Sequence, residues 1–250
     1  MMKKIGIGAL EDIKKVIASI RKSGHGKEII VYCKPGRVSD NAGDIAYHES
    51  MCPEEDLVED LRSGMLRAAI RGTLPANSTL SALKRVFGVD HLERIALLET
   101  ADGKKFLLAP VGVDEGWSVG EKVIFVKKGR EIAGKFGLTE RVAVLSGGRI
   151  GDVGRNARVD QSLADAELVA RLSGAVHREI LIEDAILDSG LIIAPDGISG
   201  NLIFRTLTFL GAGKGHGAPV VNIDRIFVDT SRASPDYVNA IMLADSLSKQ

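Results

Sequence analysis

The stretch IIAPDGISGNLIFRTLTFLGAG, from Ile192 to Gly213, sets the strongest limit on how this chain can fold. The apolar run that opens it, Leu191 to Ala194, is too short for a helix and reads as a buried strand. The second run, with Leu202, Ile203, Phe204, Leu207, Phe209 and Leu210, recurs at helical spacing. Pro-Asp-Gly and Ser-Gly-Asn between the two leave room for a tight strand-to-helix turn. Such a turn presents unpaired N–H groups at the start of a helix, where they and the helix dipole favour an anion.

The same alternation runs along most of the chain. Short apolar runs predict strands at Glu28–Cys33, Ala68–Arg71, Arg141–Leu145, Glu179–Glu183 and Val220–Val228. Two more, RIALLE and KFLLAPV, flank Asp102-Gly103, a dipeptide suited to a hairpin. Apolar residues at helical spacing predict helices over Leu10–Lys22, Glu54–Gly64, Thr79–Phe87, Val119–Gly137, Asp160–Ser173 and Pro235–Leu247. Lys34 to Pro53 has no clear period and reads as a long loop. Strands alternating with helices imply an α/β fold with largely parallel sheets.

Composition narrows the function. Basic and acidic residues balance at 33 each, which gives no overall pull toward nucleic acid or a membrane surface. Aromatics at 4% leave few platforms for stacking single-stranded bases. Cys33 and Cys52 make no disulfide framework, and with five scattered histidines they fit no zinc pattern, so no metal is expected. A reduced, cytoplasmic location fits. The start, MMKKIGIGALEDIKK, is broken by acids and does not read as a signal peptide. No apolar run approaches the roughly 18 residues a membrane span needs.

Five motifs carry candidate chemistry. GAGKGHGA (Gly211–Ala218) lacks the Ser or Thr of a P-loop and follows a helix, so it reads as a helix C-cap at Gly211 and then a loop. GIGAL holds two glycines of a dinucleotide fingerprint without the third. LSGGRIGD follows the RVAVL strand, where α/β folds place ligands; Ser146, Gly147, Gly148 and Arg149 could cradle a phosphate or simply form a turn. In PDGISGN, Ser199 could cap the helix, Gly200 could let a ligand reach the backbone, and Asn201 could donate an amide hydrogen. DTSRASPD offers Ser234 as a cap and Pro235 as the first helical residue. The remaining pair, Ser231-Arg232, either grips a phosphate or developing oxyanion or is ordinary surface.

Taken in order, these stretches resemble the phosphate acetyl/butyryltransferases and their relative, the PlsX-type acyl-phosphate synthase. The most specific blocks are APDGISGN and VDTSRASPDYVNAIMLA, with GKGHGAPVV between them. Upstream, GMLRAAIRGTLPANSTLSAL and IAGKFGLTERVAVLSGGRIGD are similar to further family segments. More narrowly, the chain is identified as a member of the methanogen marker family MtxX, labelled methyltransferase Mtx subunit X. That group is a divergent branch of the phosphate acyltransferase-like proteins. No cobalamin, S-adenosylmethionine or zinc-thiolate signature accompanies the label.

The resemblance implies an isocitrate/isopropylmalate-dehydrogenase-like fold. It would have two three-layer α/β domains, residues 1–91 with 222–250 and residues 92–221, an interdomain cleft, and a homodimer formed through the second domain. It implies Ser231, Arg232 and Asp236 as catalytic residues, with Asp236 as base. Gly72, Thr73, Ser146, Gly147, Gly148, Arg149, Ser199, Gly200 and Asn201 would bind a small anionic substrate. Coenzyme A or an acyl phosphate would be a substrate rather than a tightly bound cofactor. The chain departs from the pattern in four places. Asp236 lies nearer to Arg232 in sequence than the family's acid does, Ala233 replaces a glycine, Ala109-Pro110 replaces an acid-bearing strand end, and the N-terminal region is short. These departures keep a second reading open, a non-catalytic accessory subunit with methyltransferase subunits as partners. A dehydrogenase on the same fold is a third, without the metal-binding Asp cluster that decarboxylating members need.

Overall fold

Strands buried on both faces and joined through helices dominate the computed structural model, which describes residues 3–37 and 45–249. The chain divides into two units, Met1–Leu92 with His216–Gln250, and Glu93–Gly215.

The first unit contains β1 (Lys4–Ala9), α1 (Ile13–Ser23), β2 (Ile29–Cys33), β3 (Ala46–Glu49), α2 (Pro53–Arg62), β4 (Leu66–Ile70) and α3 (Ala76–Phe87). β10 (Lys214–Pro219), β11 (Ile226–Asp229) and α8 (Val238–Ser248) complete it, although β10 begins before the unit boundary. Its strands lie in the order β3-β2-β1-β4-β11-β10, parallel except for the β10–β11 pair. Tyr32, Leu57, Leu61, Leu66 and Phe227 are fully buried in one apolar cluster that α2 and α3 share with the sheet. Each such side chain contributes roughly 1.5–3 kcal/mol by leaving water. Gly6 and Gly8, the glycines of GIGAL, sit inside β1, where a Cβ would strike Leu57, Leu66 or Leu74. They serve close packing of the sheet.

The second unit holds β5 (Ala96–Glu99), β6 (Lys105–Ala109), α4 (Val119–Lys135), β7 (Val142–Val144), α5 (Ala157–Ser173), β8 (Val176–His177), α6 (Ile182–Asp188), β9 (Leu191–Ile193) and α7 (Gly197–Arg205). Its strand order is β5-β6-β9-β7-β8, with β5 antiparallel and the rest parallel. The hairpin predicted at Asp102-Gly103 is the β5–β6 connection, and Gly103 takes a left-handed φ of 86°.

Several local expectations change. The predicted loop from Lys34 to Pro53 contains the edge strand β3, while residues 38–44 lie outside the described residues. β3 pairs with β2, and His48 stacks on Tyr32 with ring centroids 4.8 Å apart. Glu179–Glu183 is no strand; the helix α6 begins at Ile182. KGHGAP, Lys214–Pro219, is a strand, not a loop. The last helix starts at Val238, after Tyr237, so neither Ser234 nor Pro235 begins it. Tyr237 is fixed by its amide donating to Ser19 Oγ at 3.0 Å. No helix among the described residues is long and apolar enough to cross a membrane.

Candidate functional site

In the first unit, β1, β4 and β11 run parallel in register, with Ile70 opposite both Ile7 and Val228. Their C-terminal ends therefore release three segments side by side: Leu10 onward, Arg71-Gly72-Thr73, and Thr230-Ser231-Arg232. Arg71 locks the second to the third. Its guanidinium is buried, donates through Nε to Asp229 Oδ1 at 2.5 Å and to the Leu74 carbonyl at 2.9 Å, and also reaches the Thr230 carbonyl. Thr230 Oγ1 donates to the Gly72 carbonyl at 3.2 Å. Gly72 has φ 60°, and a Cβ there would lie 2.0 Å from the Gly8 carbonyl oxygen, so glycine is required. Thr73 Oγ1 accepts from the Leu10 amide at 3.0 Å, which ties the first segment to the second.

This frame holds the Ser231–Asp236 loop. Lys15 donates to the carbonyls of Arg232 and Ser234, at 2.9 and 3.0 Å. Ser231 Oγ accepts from the Ala233 amide at 3.2 Å. The Arg232 side chain is half exposed and, among the described residues, pairs with the exposed Glu11 at 3.5 Å. Asp236 is more engaged: Oδ2 lies 3.2 Å from Lys22 Nζ, and Oδ1 accepts from the Val238 amide at 3.1 Å.

In the second unit, Ile193 is the register neighbour of both Ala109 and Val144, so three loops leave one end of the sheet together. Asp196, not Ser199, caps α7, its Oδ1 accepting from the Ser199 amide at 2.8 Å. Gly200 sits so close to the β6 end that a Cβ would lie 1.9 Å from the Pro110 carbonyl oxygen. The space beside its backbone is thus filled by the protein itself. Asn201 donates its amide to the Val111 carbonyl at 3.0 Å.

The Ser146–Arg149 loop is held by protein groups. The Gly147 amide donates to Ser162 Oγ at 2.8 Å, and the Arg149 amide to Asp152 Oδ2 at 2.8 Å. Buried Ser146 donates to the Gly148 carbonyl at 2.9 Å. His177 Nε2 lies 2.9 Å from Ser146 Oγ, and its Nδ1 3.3 Å from Glu167 Oε2. The Glu–His–Ser line has the outline of a nucleophile relay, but its serine is buried and already donating, so it orders the loop. Lys122 of α4 is buried with Nζ 3.8 Å from Asp165 Oδ2. Burial pulls its ammonium pKa below the usual lysine range, against the opposing pull of Asp165 and Asp196. Among the described residues, no three His, Cys, Asp or Glu side chains gather as a metal site.

No family model matches the chain. A Methanosarcina barkeri protein named "Putative methyltransferase mtx subunit X" is 46% identical over 98% of this chain and 93% of its own length. The chain belongs to the mtx subunit X family. Among solved structures, a branched-chain phosphotransacylase from Enterococcus faecalis superposes with a TM-score of 0.74 at 18% identity, covering 100% of both chains. A 4-hydroxythreonine-4-phosphate dehydrogenase from Klebsiella pneumoniae gives 0.62 at 11% identity, covering 99% of this chain and 100% of its own. At such identities the likeness establishes the shared mixed α/β fold alone.

In this mtx subunit X member, the predicted site residues fall into two groups. Gly72, Thr73, Ser231, Arg232 and Asp236 belong to the first unit, and the first four stand at adjoining strand ends. Ser146, Gly147, Gly148, Arg149, Ser199, Gly200 and Asn201 belong to the second and also gather at neighbouring strand ends. Sequence reading missed Arg71, Asp229, Lys122 and His177. The signal for the first pair was a charge closing each of two apolar runs, in AAIR and IFVD. Lys122 and His177 carried no such mark.

Proposed function

We propose that this protein is a transferase of the phosphate acyltransferase-like group that binds a phosphorylated or acyl ligand, on an isocitrate/isopropylmalate-dehydrogenase-like fold. The observation carrying this reading is the fixed loop at Ser231-Arg232. Arg71, Asp229 and Lys15 hold its backbone while the half-exposed Arg232 guanidinium has, among the described residues, one exposed carboxylate partner. A cation held by a rigid frame and left open suits an incoming phosphate or carboxylate.

In the acyl-transfer form, the coenzyme A sulfur attacks the carbonyl carbon of an acyl phosphate. The S–C bond forms, the C–O bond to phosphate breaks, and inorganic phosphate leaves. Arg232 balances the charge on the departing phosphate, Ser231 positions it, and Asp236 takes the thiol proton. In the second unit, Gly148, Arg149 and Ser199 are the proposed ligand-binding residues, because Ser146, Gly147, Gly200 and Asn201 are engaged within the protein. The active protein is a homodimer joined through that unit.

One observation favours a second reading. Both Asp236 oxygens are engaged, by Lys22 and the Val238 amide, which disfavours a proton acceptor. Here the protein is an accessory subunit of a methyltransferase system, as the relatives' name suggests, and retains anion binding without acyl transfer.

Thioester formation from acetyl or butyryl phosphate and coenzyme A decides between them. The transferase reading expects activity that falls by about 10²–10³ in Arg232→Ala. Absence of activity in the parent protein overturns it in favour of the accessory subunit.

A further inference from the structure

The loop that follows GIGAL lines a cavity of about 600 Å³ in the first unit, at the ends of β1 and β2. Lys14, Lys34 and Arg37 surround it, with Glu11, Asp12 and the apolar Leu10 and Ile13. The two acids are already engaged: Glu11 pairs with Arg232, and Asp12 caps α1 by accepting from the Lys15 amide at 3.2 Å. Lys14, Lys34 and Arg37 have no hydrogen-bond or ion-pair partner among the described residues. Among the described residues, these three cations share one concavity without a direct partner, which favours an anion there. The size exceeds what inorganic phosphate fills and falls in the usual range for small organic ligands.

We propose that this cavity is a binding site for a phosphate ester. The phosphate is held by Lys14, Lys34 and Arg37, and the organic part rests on Leu10 and Ile13. The site does not depend on acyl transfer, and neither Lys34 nor Arg37 belongs to the Ser231–Arg232 loop.

The test is calorimetric titration with AMP, with adenosine and inorganic pyrophosphate alongside, at low ionic strength. Wild type, Lys34→Gln/Arg37→Gln and Arg232→Ala are compared, with thermal melting confirming that each variant is folded. The expected result is that AMP and pyrophosphate bind and adenosine does not. The double variant should weaken AMP binding by about tenfold or more, since it removes two of the three cations. Added salt should weaken binding further. Arg232→Ala, which frees the Glu11 carboxylate at the cavity, should weaken AMP binding less than the double variant does, whatever its effect on acyl transfer. Failure of AMP to bind, undiminished binding in the folded double variant, or loss confined to Arg232→Ala overturns the proposal.

Discussion

Arg71 and Asp229, separated by 158 positions in sequence, meet at 2.5 Å inside the first unit and join the ends of two parallel strands. Both side chains are nearly buried, at 7% and 11% exposure. The guanidinium also satisfies the Leu74 and Thr230 carbonyls, so a single side chain serves three acceptors.

Arg71→Ala should therefore be among the most damaging single changes. It removes the guanidinium from a buried carboxylate and leaves two carbonyls without this donor, at a cost of roughly 3–5 kcal/mol. Urea unfolding followed by circular dichroism measures this. A loss below about 1 kcal/mol, the range of an exposed pair, contradicts the assigned role.

Gly200→Ala should displace the start of α7. The added methyl would lie 1.9 Å from the Pro110 carbonyl oxygen, a backbone atom that no rotamer change can move. Overpacking of this kind costs about 1–3 kcal/mol. Amide exchange should accelerate at Ser199 and Gly200 before it does in β1. Unchanged exchange in α7 would show that the contact is not tight.

Asp245 should give the protein an acid-sensitive step. Burial alone would raise its pKa, but Lys249 at 2.6 Å, Arg67 at 2.7 Å and His25 at 3.6 Å outweigh burial and hold it below the usual range. The folded pKa is depressed relative to the unfolded chain. Its stabilisation is therefore complete above the unfolded value of about 3.9 and is lost as pH falls through the folded value. Asp245→Asn should be less stable at neutral pH and should show a shallower loss of stability on acidification. Parallel acid limbs for the two proteins, in urea midpoints against pH, would assign the step elsewhere.

The sequence pattern carried the architecture well where local preference and tertiary environment agree. Strands such as IIVYC and VAV carry no charged residue because parallel strands are covered on both faces. Patterns failed where packing decides. AYHE is an edge strand with only partial burial, so its residues show no apolar run. KGHGAP is glycine-rich and disfavours a strand on its own, yet pairing of Ala218 with Asp229 and Pro219 with Val228 makes it one. EILIE reads as a short strand, yet its last two residues, Ile182 and Glu183, open the helix α6.

The site divides along the same line. Sequence alone determined that PDGISGN and DTSRASPD follow strands, because apolar periodicity is local and switches visibly at Pro and Gly. It could not determine that Asp196 rather than Ser199 caps α7, since a cap is chosen by where the backbone first turns helical. Nor could it show Arg71 against the Thr230 carbonyl, Lys22 against Asp236, or Lys14, Lys34 and Arg37 around one cavity. Those are meetings of residues far apart in the chain. Strand order and register set them, and only the folded molecule fixes both.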